Sequence, residues 1–203
     1  MKKKIFMITL AACLIILSIA STSLAYFTDT DAKSNVFTVG NVGITLNYTE
    51  NDARLYPGQA YGSATITNVG NEEAYVGAII KLTVPQGTSF ETVSSIFTGL
   101  SDNTNNTNNT IKYVQTETVQ TETVYTVYTV YVVVGTVLAT GSTANIFTNM
   151  AIPATWGNAE MALLRGLSVD ITAYATQTVG FNNATEALKA AFANNGWENY
   201  PNN

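Results

Sequence analysis

The stretch Leu167–Gln177 (LSVDITAYATQ) alternates without a break. Leu167, Val169, Ile171, Ala173 and Ala175 fall on one side of a two-residue period, and Ser168, Asp170, Thr172, Tyr174 and Thr176 on the other. A pleated strand sends successive side chains to opposite faces, so this segment reads as a half-buried strand with one face on an apolar core. Upstream, strand-forming residues recur between turn signals. Thr136–Ile152 reads as strand and turn with Gly141-Ser142 at the bend, and Ala74–Val84 (AYVGAIIKLTV) is a strongly apolar strand closed by Pro85-Gln86-Gly87. Ala60–Asn68 sets Ala64 and Ile66 among small and polar residues, and Val69-Gly70-Asn71 turns the chain, so Ala60–Asn68 and Ala74–Val84 are expected to pair as a hairpin. Tyr56-Pro57-Gly58-Gln59 has Pro second and Gly third, the pattern of a type II turn. Asn35–Asn47 mixes β-branched and aromatic residues, with Gly40 and Gly43 as bend or bulge points.

Three segments switch to a helical period. In Thr88–Gly99, Phe90, Val93, Ile96 and Phe97 share one face, with Thr88 and Glu91 spaced as a capping box. Asn158 is placed to cap a short helix over Ala159–Arg165, stopped by Gly166. Asn183 and Glu186 repeat the box ahead of Ala184–Ala193, whose apolar face is Ala184, Leu188, Ala191 and Phe192 and whose stop is Asn194-Asn195-Gly196. About eight strands with minor short helices predict an all-β chain, an antiparallel jelly-roll β-sandwich.

Two stretches depart from this pattern. Ser101–Thr110 (SDNTNNTNNT) lacks any hydrophobic residue and should project into solvent. It holds two Asn-x-Thr triplets, at Asn105 and Asn108; Asn47 and Asn183 begin two more, giving four candidate glycosylation acceptors. Tyr113–Gly135 (YVQTETVQTETVYTVYTVYVVVG) passes into a Thr-Val-Tyr triplet repeat built from strand formers. A three-residue repeat is out of step with the two-residue pleat and puts Val and Tyr on both faces. A long strand or hairpin with protein on both faces accommodates that, either as an expanded sandwich strand or as a subunit or fibre contact.

The N-terminus carries an address. Met1–Lys4 is basic, Ile5–Ala20 is almost wholly apolar, and Ser23 and Ala25 are small residues at −3 and −1 of a cut after Ala25. This predicts a secretory signal peptide over 1–25, a segment 26–42, a domain over 43–203, and a secreted or cell-surface product that meets the membrane only during export. A retained anchor, a type IV pilin helix and a lipidated Cys13 are the alternatives, with Cys13 inside the apolar run the plainer reading.

Of 203 residues only 11% are charged; setting Lys2–Lys4 aside leaves 6 basic against 14 acidic residues, a net charge of −8. A surface so short of cations cannot neutralise a phosphate backbone, which argues against a nucleic-acid partner. The chain has no His and only one Cys. That removes the Ser–His and Cys–His nucleophile pairs, the HExxH helix, His-ligated metal and disulfide frameworks, so neither catalysis, cofactor nor metal is expected. Asp29, Asp31, Asp52, Glu72, Glu73 and Asp170 are acids without a spacing that pairs them, and Asp29-x-Asp31 with Asn35 lacks the Gly and final Glu of a calcium loop.

Leu24-Ala25-Tyr26-Phe27-Thr28-Asp29-Thr30, followed by Asn35–Val42 (NVFTVGNV), resembles the start of the TasA/camelysin family of secreted proteins. Pro57-Gly58-Gln59, Ile66-Thr67-Asn68-Val69-Gly70 and Ala173-Tyr174-Ala175-Thr176-Gln177 are similar to its later landmarks, in order; the likeness covers roughly 5–84 and 155–180. The resemblance implies a jelly-roll domain exported by the general secretory route, with fibre-forming members that polymerise by donor-strand complementation. The Asn-, Thr-, Tyr- and Val-rich composition is most similar to the archaeal bundling pilins. The metallopeptidase label given to some members does not carry over to a chain without His.

The expectation is therefore a structural subunit of an extracellular filament, a bundling pilus or biofilm matrix fibre. Its partners would be identical subunits joined head to tail, with lateral filament contacts. The donor would be Tyr26–Val42, with Phe27, Val36, Phe37 and Val39 filling pockets, or else that segment would be the first strand of its own subunit. The alternative is a monomeric surface module binding carbohydrate or cell-wall material, with Trp156, Trp197 and the tyrosines stacking on sugar rings.

Overall fold

The computed structural model describes residues 28–32, 42–48, 55–100, 109–120 and 124–200; for 28–32 and 109–120 it describes the backbone only. In chain order the elements are β1 (Thr28–Ala32), β2 (Ile44–Tyr48), β3 (Ala60–Asn68), β4 (Ala74–Pro85), α1 (Phe90–Ser94), β5 (Phe97–Thr98), β6 (Asn109–Gln120), β7 (Val124–Val134), β8 (Thr143–Ala151), α2 (Asn158–Ala162), β9 (Ser168–Gln177) and α3 (Ala184–Phe192). The strands form two antiparallel sheets, one in the order β1-β9-β4-β7-β6 and one in the order β2-β3-β8-β5. The chain changes sheet at every connection except β2–β3 and β6–β7.

Both sheets turn one face onto a shared core. From the larger sheet it takes Val76, Ala78, Ile80, Leu82 and Val84 of β4, Tyr128, Val130, Val132 and Val134 of β7, and Ile171, Ala173 and Ala175 of β9. From the smaller sheet come Ile44, Leu46, Ala64, Ile66, Phe97, Ile146, Phe147 and Met150, with Phe97 and Phe147 edge to face at 5.1 Å. Each fully buried Ile or Leu contributes on the order of 1.5–3 kcal/mol. The alternation of Leu167–Gln177 is thus real, with its aliphatic set on this core.

The hairpin expected between Ala60–Asn68 and Ala74–Val84 does not form. Strand β3 pairs with β2 and β8, whereas β4 pairs with β7 and β9 in the other sheet. Asn68 holds the crossover. Its side chain is fully buried, donates to the Glu72 and Leu138 carbonyls at 2.9 Å each and accepts from the Gly70 N–H at 2.9 Å. A buried amide with three partners satisfies backbone groups that the turn would otherwise leave unpaired. The Pro57-Gly58 turn forms as expected, with Gly58 at φ 79° and the Gln59 N–H on the Tyr56 carbonyl.

The helices are shorter than their sequence periods suggest. Ser89, not Thr88, caps α1, accepting from the Thr92 N–H at 3.1 Å. Thr88 is buried and donates its hydroxyl to the Leu163 carbonyl, and Phe97 already belongs to β5. Helix α2 starts one residue before the expected span, and the Glu160 carboxylate reaches back to the Gly157 N–H at 2.9 Å. Its own N–H and that of Gly157 hold the Glu160 carboxyl below its ordinary pKa. Helix α3 is capped as predicted, the Asn183 side chain accepting from the Glu186 N–H at 2.9 Å.

Candidate assembly surface

Strand β9 is where the functional expectations converge. Its first half follows the half-buried reading, with Ser168 and Asp170 exposed on the outer face. Its second half is covered on both sides, since Tyr174 and Thr176 are buried as well. The cover is the C-terminal segment: Tyr75, Ile79, Tyr131, Val133 and Tyr174 of the sheet pack against Leu188 and Phe192 of α3 and against Trp197 and Tyr200. Gly77 of β4 makes room for it. A Cβ there would lie 2.7 Å from Leu188 Cδ1, 2.8 Å from the Val132 carbonyl oxygen and 2.9 Å from Trp197 Cη2. A glycine within a strand marks such a close approach. Tyr131 donates to the Gly196 carbonyl at 2.8 Å and Tyr174 to the Asn195 carbonyl at 3.3 Å. Burial raises the phenol pKa of Tyr131, Tyr174 and Tyr200.

This cover accounts for Val and Tyr on both faces of the second half of β7. Strands β6 and β7 are the two arms of a hairpin. In β7, Val130, Val132 and Val134 face the shared core while Tyr131 and Val133 face the C-terminal segment. Protein does lie on both faces of this half of β7, and it comes from the same chain.

Where the cover ends, a groove of about 650 Å³ opens on the outer face of the larger sheet. Lys81, Asp170, Thr129, Thr172, Tyr131 and Asn199 are among its lining residues. Lys81 stands between Asp170 of β9 and Thr129 of β7 in the strand register. It is the single charge in the apolar run Ala74–Val84, a signal the sequence reading passed over. Asp170 is the only carboxylate among the lining residues, so the groove brings no second acid to it. Among the described residues no group of three or more His, Cys, Asp or Glu is placed to hold a metal ion, and no helix is long and apolar enough to cross a membrane.

The expected donor side chains Phe27, Val36, Phe37 and Val39 lie outside the described residues, as do Asn105 and Asn108. Of the segment 26–42, Thr28–Ala32 forms β1 at the margin of its own larger sheet, and Val42 is buried in the shared core. Strand β1 runs antiparallel to β9, pairing Thr28 with Thr176, Asp29 with Ala175, Thr30 with Tyr174, Asp31 with Ala173 and Ala32 with Thr172. Asn47 is exposed on β2, its amide donating to Thr67 Oγ1 at 3.4 Å, and Asn183 is exposed as the α3 cap. Glu72 and Glu73 are exposed in their turn. The two tryptophans are not laid open for stacking on a ligand: Trp197 is fully buried against Tyr131, Tyr174 and Tyr200, and Trp156 is half-buried against the core. Comparison of the chain with protein-family models, with curated proteins and with solved structures finds no match in any of the three.

Proposed function

We propose that this protein is the structural subunit of an extracellular filament, polymerising head to tail by strand donation into the slot beside β9. The observation that carries the reading is the composition of β1. Its sequence, TDTDA, holds no apolar residue larger than Ala, so its hold on β9 rests largely on backbone hydrogen bonds. The β9 positions opposite Asp29 and Asp31 are Ala175 and Ala173, small residues of the shared core. Shifting the incoming strand by eight residues sets Phe37 opposite Ala175 and Val39 opposite Ala173 in the same antiparallel sense. The apolar pair then stands at the register positions opposite these two core alanines, which favours exchange.

The chain's own Phe37 and Val39 cannot make that shift. In it Gly40 lies opposite Thr172, and Val42 follows two residues later, a reach of roughly 7 Å at full extension. Yet Val42 precedes Ile44, which pairs with Asn68; Asn68 bonds Leu138, Leu138 bridges Ala74, and Ala74 pairs with Gln177. That chain of contacts puts Val42 near the Gln177 end of β9, five residues or about 17 Å along the strand from Thr172. Only a second copy can supply the shifted strand, and since donor and slot are different surfaces, the contact propagates.

The finer fold reading, a jelly roll, is supported by the order β1-β9-β4-β7 in one sheet and β3-β8-β5 in the other, with the chain crossing between them. The resemblance to the TasA/camelysin family and the archaeal bundling pilins points the same way, as does the secretory address. Asn47, Asn105, Asn108 and Asn183 are the proposed glycan acceptors, which intact mass of the native protein tests. Electron microscopy of the purified secreted protein beside a Phe37→Asp/Val39→Asp variant tests the assembly. Filaments from the first and folded, unpolymerised protein from the second are expected. Filaments from both, or from neither, would overturn strand donation.

A further inference from the structure

The other margin of the larger sheet is β6, and among the described residues nothing pairs with its far side. It runs for 12 residues against 5 for β1. Its sequence, NTIKYVQTETVQ, has one cation, Lys112, one anion, Glu117, and neither Pro nor Gly. An edge of that length leaves a row of N–H and C=O groups for another strand to pair with.

We propose that β6 strands of two copies pair edge to edge, antiparallel about a two-fold axis normal to the sheet, with Lys112 of each opposite Glu117 of the partner subunit. The two larger sheets then become one continuous sheet of ten strands. Two features of the strand carry the register. The first is length: the alignment that sets Lys112 against Glu117 also sets Asn109 against Gln120, so the strand meets its copy from end to end. The second is parity. Positions five apart on a regular strand belong to opposite faces and cannot meet across such a two-fold. Here the pairing with β7 slips between Tyr113 and Gln115, so that Lys112 stands opposite Tyr131 and Glu117 opposite Val127. Tyr131 and Val127 both line the outer groove, and the slip therefore brings the two charged positions into register on that one side. Opposite charges directly across antiparallel strands attract, and like charges repel.

A lone Lys and a bulge on an edge also serve to keep strands apart. Protection has no use for a Glu at the mirror position of the Lys, and self-pairing does. The inference goes beyond filament growth and does not rest on it, because β1 and β6 are opposite margins of the sheet. In a filament this contact would bind neighbours side by side; without filaments it would give dimers.

The test is a charge exchange in the purified secreted protein: Lys112→Glu, Glu117→Lys and the double replacement. Sedimentation velocity reads dimers in filament-free fractions, and electron microscopy reads side-by-side pairing of any filaments. Each single reversal places two like-charge pairs across the two-fold and should weaken association roughly tenfold. The double variant restores opposite charges and should restore association, which separates a lost contact from misfolding. A parent protein that shows no lateral association, singles that associate as the parent does, or a double variant that stays apart would each overturn the proposal.

Discussion

The inner and outer faces of the five-stranded sheet bury different kinds of side chain. Inside, β4, β7 and β9 offer mainly Val, Ile, Leu and Ala to the facing sheet, and both surfaces are pleated. Outside, the same three strands offer Tyr75, Ile79, Tyr131, Val133 and Tyr174 to a C-terminal segment that brings Leu188, Phe192, Trp197 and Tyr200. Aliphatic side chains fill the space between two sheets without needing partners. Aromatic rings with hydroxyls can also fasten an irregular segment, because each hydroxyl selects one carbonyl. The Tyr131–Gly196 and Tyr174–Asn195 bonds do this, holding the tight turn at Gly196, whose φ of 100° is reserved in practice for glycine. The inner core is general and the outer cover is specific.

That contrast is open to breakage. Trp197→Ala should cost the most, about 3–5 kcal/mol in urea unfolding, since it empties the centre of the outer cluster. Trp197→Phe should cost far less than the Ala change, because it keeps a ring and deletes an indole N–H that is buried without a partner among the described residues. Equal losses for the two would mean that ring packing is not what holds the C-terminal segment. Ile80→Ala, a fully buried position on the inner face, should cost about 2–5 kcal/mol and leave a single coincident transition by circular dichroism and fluorescence.

Smaller effects sharpen the same comparison. Tyr131→Phe should lose about 0.5–1.5 kcal/mol with its hydrogen bond. It should also flatten the alkaline limb of the stability curve. Burial raises the folded pKa of Tyr131, Tyr174 and Tyr200, so the unfolded chain sheds phenolic protons first. Stability is then level up to the ordinary phenol pKa of about 10 and falls above it until the raised folded values are passed. Unfolding measured from pH 8 to 11 checks this, and a decline of equal depth in the Phe variant would remove Tyr131 from the account. Asn183→Ala should cost a similar amount, about 1 kcal/mol, by uncapping α3.

How far the chain could be read differs along the same divide. Leu167–Gln177 gave its core face correctly because alternation reports local geometry, and the Asn183 cap lay three residues from its partner. The β3–β4 hairpin was misread because alternation does not say which sheet a strand joins; the deciding contact, Asn68 to Leu138, spans 70 residues. Tyr113–Gly135 announced burial on two faces, but the outer partner of Tyr131 and Val133 lies in α3 and Trp197–Tyr200, far down the chain, so the repeat alone could not distinguish that cover from a second subunit. Ser89 displaced Thr88 at the α1 cap for a similar reason: Thr88 is held by the Leu163 carbonyl, 75 residues away. The groove went unread, its one available signal being Lys81 inside an apolar run, and the slip in β6 that aligns Lys112 with Glu117 had no sequence signal at all.

The chain's two tryptophans occupy unlike surroundings, and this gives the molecule an optical gauge of its own. Trp197 is walled off from water and has the rings of Tyr131, Tyr174 and Tyr200 at 5.5, 5.7 and 5.9 Å, close enough for tyrosine excitation to pass to it. Trp156 sits half-wet beside the inner core. Light absorbed by these three tyrosines therefore emerges from the outer cover in preference, and its colour and intensity follow whether the C-terminal segment is seated, with no label added to the protein.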